Sequence, residues 1–378
     1  MNNGKTRAGL NRRQVVKAGV AGALAAPFIM GRASLASAQK SFAGEELIVV
    51  SWSGNYETVF KQTVIDPFNE KYQTNVGSMG IWDQMVAQIY AAPEDNPPFD
   101  ITVAEESVTG DGAAKNLWLP AEAEKIPNLS AVYPYFSETR PGFEQWGVPF
   151  AIGTTMLIAR KSLGIAPDSW GMLWDERLKD RFTADGSSWW WSLSVPALMS
   201  DAKPGLDEML SFSTAEPLFA ELDKLQPIRW YMTGAEQANL LNQGEVDAAL
   251  TYSSDAFNYL QESPDEYLAA VPKEGVSAWT DRFIKVRGTR HGELADLFLN
   301  YMLEKETQDR FLAKSMVVMS RGDVTVPSHW QKYPTSNEEL HKDFRLITID
   351  GWSKIIDEYQ AYDDRMKVAI SRSTGAGR

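Results

Sequence analysis

The chain has no cysteine and only three histidines in 378 residues, at His291, His329 and His341. Without cysteine there can be no disulfide, no thiolate metal ligand and no thiol nucleophile. The histidines are not paired at the spacing of metal ligands, which argues against a zinc site and against a Ser-His-Asp triad. We therefore predict a protein that has neither a metal nor a cofactor.

Phosphate-binding and nucleophile motifs are also missing. No glycine-rich loop leads into Gly-Lys-Ser or Gly-Lys-Thr, and no Gly-x-Ser-x-Gly elbow occurs. Gly110-Asp111-Gly112 begins like a dinucleotide-binding fingerprint, but Lys115 occupies the place of its third glycine, so we predict a turn there. These absences predict that the protein is not an enzyme. An exported hydrolase with two catalytic carboxylates is the enzymatic alternative.

The first 38 residues contain no Asp or Glu, but they carry six of the 37 Lys and Arg residues. The apolar run from Ala18 to Met30 is too short, and too rich in Ala and Gly, to anchor the chain in a membrane. Ala36-Ser37-Ala38 offers a cleavage site. We predict a signal peptide over residues 1–38, with a disordered basic tail as the alternative.

Arg12-Arg13 fixes the expected export route, because the stretch Asn11–Lys17 resembles the signal of the twin-arginine pathway. The mature protein is then expected in the periplasm. Removing six positive charges takes the net charge from −13 to −19. A charge of this sign argues against nucleic acid as a partner.

The mature chain of about 340 residues exceeds what one core usually supports, so two domains are expected. Strand-like and helix-like runs alternate, which predicts an α/β fold. The predicted strands are 46–52, 99–104, 147–159, 246–252 and 279–286, and the predicted helices are 57–71, 83–90, 294–312 and 352–359. The two long strands at 147–159 and 279–286 are candidates for crossings between lobes. A disordered tail is predicted at 366–378.

Aromatic rings and acids occur together in predicted strands. Trp279 and Asp281 are two residues apart, so strand alternation places both side chains on one face. A ring face beside a carboxylate is a site for an organic cation. Trp52 and Tyr56 follow the first strand and Glu105 follows the second, at the strand ends where α/β sheets place ligands.

Two further candidates lie later in the chain. Tyr252 ends the strand that follows Gly244-Glu245. Asp185 precedes Trp189-Trp190-Trp191, and three consecutive tryptophans cannot all face one core. Taken singly, each aromatic residue is more often part of a core and each acid is as often a solvated loop charge. Only their shared position at strand ends favours a cleft.

Three stretches, Asp168–Trp174, Gly244–Tyr252 and Val271–Asp281, resemble the ABC-importer solute-binding family that includes spermidine and putrescine binders. The resemblance extends over Leu47–Tyr362. Its most specific part is Pro272-Lys273-Glu274-Gly275, which in the family leads into a strand with a ligand-contacting Trp and Asp. By the same resemblance a ligand-contacting ring falls on Trp52, an acid on Asp185 and an aromatic residue on Tyr252.

The chain departs from the family's pattern at several positions. Ser188 stands where the family has a second carboxylate, and Glu105 and Ser107 stand where it has Ser and Tyr. The loss of one acid weakens the case for a long diamine, although Glu105 offers a charge from the other lobe.

The resemblance implies a type II periplasmic-binding-protein fold with two lobes joined by crossing strands. The division would be 43–147 plus 281–321 in one lobe and 148–280 plus 322–365 in the other. We predict a monomer that closes over a cationic amine and delivers it to an ABC permease. The predicted ligand-binding residues are Trp52, Tyr56, Glu105, Asp185, Trp189, Tyr252, Trp279 and Asp281. A neutral or anionic ligand, held by Arg160, Arg282 or Arg321, is the alternative.

Overall fold

The computed structural model describes residues 41–81, 84–199, 212–225, 227–328, 330 and 333–375. The predicted signal peptide at 1–38 lies outside these ranges, as does His329. From Phe42 onwards the chain belongs to one structural unit.

The described residues contain twelve strands. They are β1 (Glu46–Trp52), β2 (Asn75–Ile81), β3 (Ile101–Ala104), β4 (Trp118–Leu119), β5 (Val148–Arg160), β6 (Phe182–Asp185), β7 (Arg229–Tyr231), β8 (Ala248–Tyr252), β9 (Tyr267–Ala270), β10 (Val276–Val286), β11 (Val318–Met319) and β12 (Phe344–Leu346).

Helices fill most of the connections between these strands. The α-helices are α1 (Asn55–Phe60), α2 (Asp66–Tyr72), α3 (Met85–Ala91), α4 (Glu106–Ala114), α5 (Tyr135–Glu138), α6 (Trp189–Met199), α7 (Phe212–Leu222), α8 (Gly234–Asn242), α9 (Ser253–Glu262), α10 (Gly292–Met302), α11 (Lys305–Leu312), α12 (Asn337–Asp343), α13 (Ile349–Asp357) and α14 (Tyr359–Gly375). A π-helix spans Lys61–Ile65, and short 3-10 helices span Pro127–Ala131, Lys161–Leu163, Trp170–Trp174 and Glu176–Leu178.

All twelve strands join one sheet, whose main path runs β2-β1-β3-β10-β5-β8-β6-β7. β4 and β12 pair with β10, while β9 and β11 pair with β5. β1 is parallel to β2 and β3, and β6 is parallel to β7 and β8. Between them β5 and β10 run antiparallel to each other. Two groups of parallel strands are thus joined through one antiparallel pair, and the predicted α/β class is confirmed.

β5 takes part in both groups of strands. Residues 148–154 pair with β10, and residues 155–160 pair with β8 and β9. Every residue of β5 except Arg160 is buried. A strand that is covered on both faces has a continuous apolar run instead of alternation. This is why the sequence predicted one long strand here, and that prediction is confirmed.

Two predicted helices are present but interrupted. The stretch 57–71 forms α1 and α2 with the π-helix between them, and the wider turn leaves Thr63, Val64 and Ile65 all buried. The stretch 294–312 forms α10 and α11, which are separated at Leu303 and Glu304. Periodicity predicted helical structure in both places but could not predict these breaks.

The structure differs from two other predictions. The predicted turn at Gly110–Gly112 lies inside α4, and a Cβ on Gly112 would stand 1.9 Å from the Trp118 ring. Glycine is therefore needed there for close packing and not for a turn. The disordered tail predicted from residue 366 is helical as far as Gly375, because Met366 and Ala369 are buried against the core.

Candidate functional site

Four of the predicted site residues stand at carboxyl ends of parallel strands. Trp52 is the last residue of β1, and Glu105 directly follows β3, its parallel neighbour. Asp185 and Tyr252 are the last residues of β6 and β8, which are also parallel neighbours. Parallel strands end at one edge of a sheet, so each pair comes together as the strand assignment predicts.

Asp281 lies within β10, and only 1% of it is exposed. Its Oδ1 accepts hydrogen bonds from Trp52 Nε1 at 2.8 Å and from Trp279 Nε1 at 3.1 Å. Burial raises the pKa of Asp281 to about 7; these donors oppose the rise, and the nearby charge of Glu106 adds to it. No Lys or Arg in the described part of the chain forms an ion pair with Asp281. Two indoles thus hold a poorly solvated carboxyl group that lacks a counter-ion.

Tyr56 adds a hydroxyl beside this carboxyl group. Its ring is 7% exposed and packs against Phe311 at 5.2 Å between centroids. Burial and, next, the charge of Asp281 raise the pKa of Tyr56 well above its usual value. Its hydroxyl is close enough to Asp281 for a weak hydrogen bond that lowers the pKa of that carboxyl group, and it has no other partner among the described residues. Tyr56 therefore provides a neutral hydroxyl near Asp281 on a ring that is anchored in the core.

Trp279 forms the aromatic wall next to Asp281. The indole lies close to the backbone of Gly153, where an added Cβ would come within 2.3 Å of the ring. The ring also meets Trp191, at 5.1 Å between centroids, and the edge of Tyr252, at 5.6 Å. The half-buried Trp279 is thus held on three sides.

The three consecutive tryptophans open α6 and point in different directions. Trp189 is 1% exposed and stacks on Tyr362 of α14 at 4.8 Å, whereas Trp191 contacts Trp279. We predicted Trp189 for the site, although the local pattern leaves open which of the three tryptophans faces a cleft, and it is Trp191 that contacts Trp279. A helix turns about 100° per residue, so residues two apart lie on nearly opposite faces. That spacing could have shown that at most one of the two belongs to the site.

Asp185 lies in the turn that leads into the same helix. Its Oδ1 accepts from Ser187 N and Ser187 Oγ, both at 2.8 Å, and from Ser188 N at 2.9 Å. Its Oδ2 accepts from the Tyr252 hydroxyl. Burial and the charge of Asp185 raise the pKa of Tyr252 well above its usual value. Both oxygens of Asp185 therefore have protein donors.

Glu105 and Glu106 differ in their surroundings. The Glu105 carboxylate caps α4 by accepting from Ser107 N at 2.8 Å and Val108 N at 3.2 Å. Burial and the neighbouring charge of Glu106 raise the pKa of Glu105 to about 7. Glu106 is 2% exposed and pairs with the buried Arg140, with 2.9 Å between Nε and Oε1. No local pattern could have paired Glu106 with Arg140, because the two residues are 34 positions apart.

Comparisons with known proteins identify the family. The model of the bacterial extracellular solute-binding proteins matches residues 63–338, which is most of the chain. The chain belongs to this family. A search of curated proteins finds no match.

Solved structures at low identity share the fold. An ABC transporter substrate-binding protein from Bradyrhizobium japonicum is 18% identical, with a TM-score of 0.71 over 86% of this chain and 100% of that one. The spermidine/putrescine-binding protein PotD from Streptococcus pneumoniae is 16% identical, with a TM-score of 0.65 over 85% and 100%. MotA from Agrobacterium tumefaciens B6, solved with glucopine, is 16% identical, with a TM-score of 0.67 over 85% and 99%. The predicted type II periplasmic-binding-protein fold is confirmed.

The arginines considered as anion anchors in this solute-binding protein all have partners. Arg282 donates to the carbonyl oxygens of Trp146 and Phe143, each at 3.0 Å. Arg160 pairs with Glu266, and Arg321 pairs with Asp323 at 2.7 Å. The guanidinium groups proposed for an anionic ligand are therefore occupied by the protein.

Membership of this family also settles the broad class of function. Solute-binding proteins bind small molecules without transforming them, so the prediction that the chain is not an enzyme is confirmed. No group of three or more His, Asp or Glu within the described ranges could hold a metal ion. No helix among the described residues is long and apolar enough to cross a membrane.

Proposed function

We propose that this solute-binding protein captures a small organic cation, such as an amine, and delivers it to an ABC permease. The observation that carries the proposal is Asp281, whose buried carboxyl group accepts hydrogen bonds from two indoles and pairs with no cation of the described residues. We further propose the predicted set of Trp52, Tyr56, Glu105, Asp185, Tyr252, Trp279 and Asp281 as its surroundings, with Trp191 in place of Trp189.

Burial removes water from the Asp281 carboxyl group. An ionised carboxylate in a buried site is costly unless it is paired. A ligand ammonium group supplies the missing partner, and its own desolvation is offset by the same contact. Each cation–ring contact adds about 0.5 to 2 kcal/mol. Trp52 and Trp279 bring rings to the carboxylate through the hydrogen bonds that also orient it.

Other acids near the site favour the same sign of ligand. Burial raises the pKa of Glu105 to about 7, and burial alone raises the pKa of Asp255, at the start of α9, to about 6. Arg140 is already paired with Glu106. A cationic ligand relieves the repulsion between these carboxylates, whereas an anionic ligand increases it.

We propose that the two groups of parallel strands mark the two lobes, divided at 43–147 plus 281–321 and 148–280 plus 322–365. β5 supports this division because it pairs with strands of both groups. Helices from opposite sides of the division also meet, since α9 packs against α1 and α13 packs against α4. A hinged pair of lobes in this arrangement excludes water from a ligand bound between them.

The solved relatives leave the exact ligand open, because one is named for spermidine and putrescine and another was solved with glucopine. A neutral or anionic ligand is the second candidate. The occupied guanidinium groups of Arg160, Arg282 and Arg321 argue against it.

Thermal-shift screening of the mature protein against amines, amino acids, organic acids and sugars tests the proposal. A ligand at 100 times its Kd stabilises the folded state by about 2.7 kcal/mol. We expect amines to raise the Tm of the wild type but not that of Asp281→Asn. A rise with an organic acid and none with any amine would contradict the proposed ligand class.

We also propose export through the twin-arginine pathway and a monomeric mature protein. Changing Arg12 and Arg13 to Lys should retain the precursor in the cytoplasm, because the pathway reads the arginine pair. Cell fractionation of a bacterium that expresses each form checks this, and normal export of the Lys-Lys form would contradict it. Size-exclusion chromatography with light scattering checks the oligomeric state.

A further inference from the structure

Glu106 makes an unusual set of contacts for the first residue of a helix. Its Oε1 accepts from Thr280 N at 2.8 Å, from Thr280 Oγ1 at 2.7 Å and from Arg140 Nε at 2.9 Å. Glu106 is 2% exposed, Arg140 is 1% exposed and Thr280 is fully buried. Buried groups that share hydrogen bonds of this kind act as one rigid unit.

The register of the sheet explains why Glu106 reaches Thr280. β10 pairs with β3 in antiparallel fashion, and Arg282 stands opposite Ala104 at the end of β3. Continuing this register by two residues places Thr280 opposite Glu106, where the chain has already turned into α4. The ladder can offer no carbonyl there, so the Glu106 side chain accepts the Thr280 N–H instead. A buried N–H needs such a partner.

Thr280 stands between Trp279 and Asp281 in the sequence. Holding its backbone and hydroxyl therefore also holds the two side chains that flank it, and these meet each other through the Trp279 Nε1 hydrogen bond. On the other side of β10, register shifts against β5 between Asp281 and Arg282. This irregularity disrupts the pairing with β5 beside Asp281, and the Glu106 contact restrains the same segment from the opposite side.

We infer that Glu106 is a positioning residue of the candidate site, which holds, through Thr280, the segment of β10 that bears the ligand-contacting side chains. Glu106 is not itself assigned a ligand contact. The expected effect on amine affinity rests on the proposed function, whereas the expected effect on the placement of Trp279 and Asp281 does not. The proximity of Glu106 also explains why its charge raises the pKa of both Asp281 and Glu105.

Thr280→Val and Glu106→Gln together distinguish the effect of the Glu106 hydrogen bonds on the site from the effect of the Glu106 charge. Thr280→Val removes one hydroxyl donor without changing shape or charge, and Thr280→Ser keeps both donors and serves as the matched control. Glu106→Gln keeps an acceptor but removes the charge that pairs with Arg140. If Glu106→Gln does not fold because Arg140 is left unpaired, the comparison of Thr280→Val with Thr280→Ser still tests the inference.

The first measurement needs no ligand. Indole N–H signals in a ¹H–¹⁵N spectrum report the hydrogen bonds to Asp281, with the signals of Trp52 and Trp279 assigned by single Phe substitutions. We expect Thr280→Val and Glu106→Gln to shift both signals, and Thr280→Ser to leave them in place. Unmoved signals in folded Thr280→Val and Glu106→Gln would overturn the inference.

The second measurement is the Kd for 1,4-diaminobutane, with n-butylamine as the second probe. We expect Glu106→Gln to weaken binding about tenfold, because it removes the charge that strengthens all three hydrogen bonds, and Thr280→Val to weaken it several-fold, because it loses one hydrogen bond. Thr280→Ser should bind as the wild type does. Loss of thermal stability with unchanged Kd would make the role of Glu106 structural only and overturn the inference. If the wild type binds neither amine, the proposed ligand class fails and the indole signals alone decide on positioning.

Discussion

Trp52 donates its indole N–H to Asp281 across 229 positions of the sequence, at a distance of 2.8 Å. This hydrogen bond joins the end of β1 to β10, with β3 between them in the sheet. It brings a ring from the first strand to a buried carboxyl group that forms no ion pair with a Lys or Arg of the described residues. The candidate site depends on this contact more than on any other.

Asp281→Asn should strongly weaken amine binding. The amide oxygen can still accept from both indoles, so the variant loses the charge and little else. We expect affinity to fall about 100-fold or more, because a buried ammonium is left unpaired. Isothermal titration with the best amine from the screen measures it, and near-normal affinity would exclude Asp281 as the anchor.

The same variant should be more stable than the wild type above pH 7. The pKa of Asp281 is about 7 in the folded state, against 3.8 for an ordinary Asp. The folded state then binds more protons between these values, so wild-type stability falls as pH rises from about 4 to about 7. Asn avoids this loss and should gain on the order of a few kcal/mol at pH 8. Urea unfolding at pH 5 and pH 8 tests this, and equal pH dependence for both proteins would contradict it.

Amine affinity of the wild type should decrease as the pH falls below 7. A protonated Asp281 must release its proton when a cation binds, and Glu105, whose pKa is also about 7, adds to the effect. Each proton released weakens binding up to about tenfold per pH unit below the pKa. Titrations at pH 6 in buffers of different ionisation enthalpy should show proton release that is absent at pH 8.5. Affinity that is constant from pH 5.5 to 8.5 would contradict this prediction.

Gly153→Ala should displace the Trp279 ring. An added Cβ would stand 2.3 Å from the indole, so the ring must move and its hydrogen bond to Asp281 must weaken. We expect amine affinity to fall about tenfold, since a displaced binding group costs about one hydrogen bond. Gly77→Ala is the matched control, because that strand glycine has no neighbour within 4 Å of an added Cβ. Equal affinities for the two variants would contradict the assigned contact.

Asp185 should matter more for stability than for affinity. Its oxygens already accept from Ser187, Ser188 and Tyr252, so Asp185→Ala loses these hydrogen bonds at a cost of about 1 kcal/mol or more. We expect Asp185→Asn to reduce amine affinity less than Asp281→Asn does. Paired measurements of Kd and Tm on these variants check the ranking. A larger affinity loss at Asp185 would make it the main anchor.

Trp191→Phe and Trp189→Phe form a matched pair on one helix. Trp191 contacts Trp279, whereas Trp189 stacks on Tyr362. Replacing Trp191 should weaken amine binding, and replacing Trp189 should lower Tm alone, because its ring lies in the core. The opposite pattern in Kd and Tm would restore Trp189 to the site.

The local sequence pattern was sufficient to predict most strands and the contact between Trp279 and Asp281. Two residues of one strand share a face whatever surrounds them, so alternation alone predicted that contact. Strand ends likewise predicted where Trp52, Glu105 and Tyr252 would stand. The local pattern could not show which of the tryptophans at 189–191 faces the site, because both faces of α6 are covered, by α14 on one side and by Trp279 on the other.

The sequence by itself determined the class of fold, the main strands and the residue types that the site offers, because these follow from periodicity and from strand alternation. Only the tertiary structure decided which groups are satisfied within the protein. Glu106 with Arg140 and Thr280, Asp185 with Tyr252, and the lone carboxyl group of Asp281 each depend on contacts between distant segments. Burial and pairing are properties of neighbours in space, so no local pattern could have shown which of these acids has a cation as its partner.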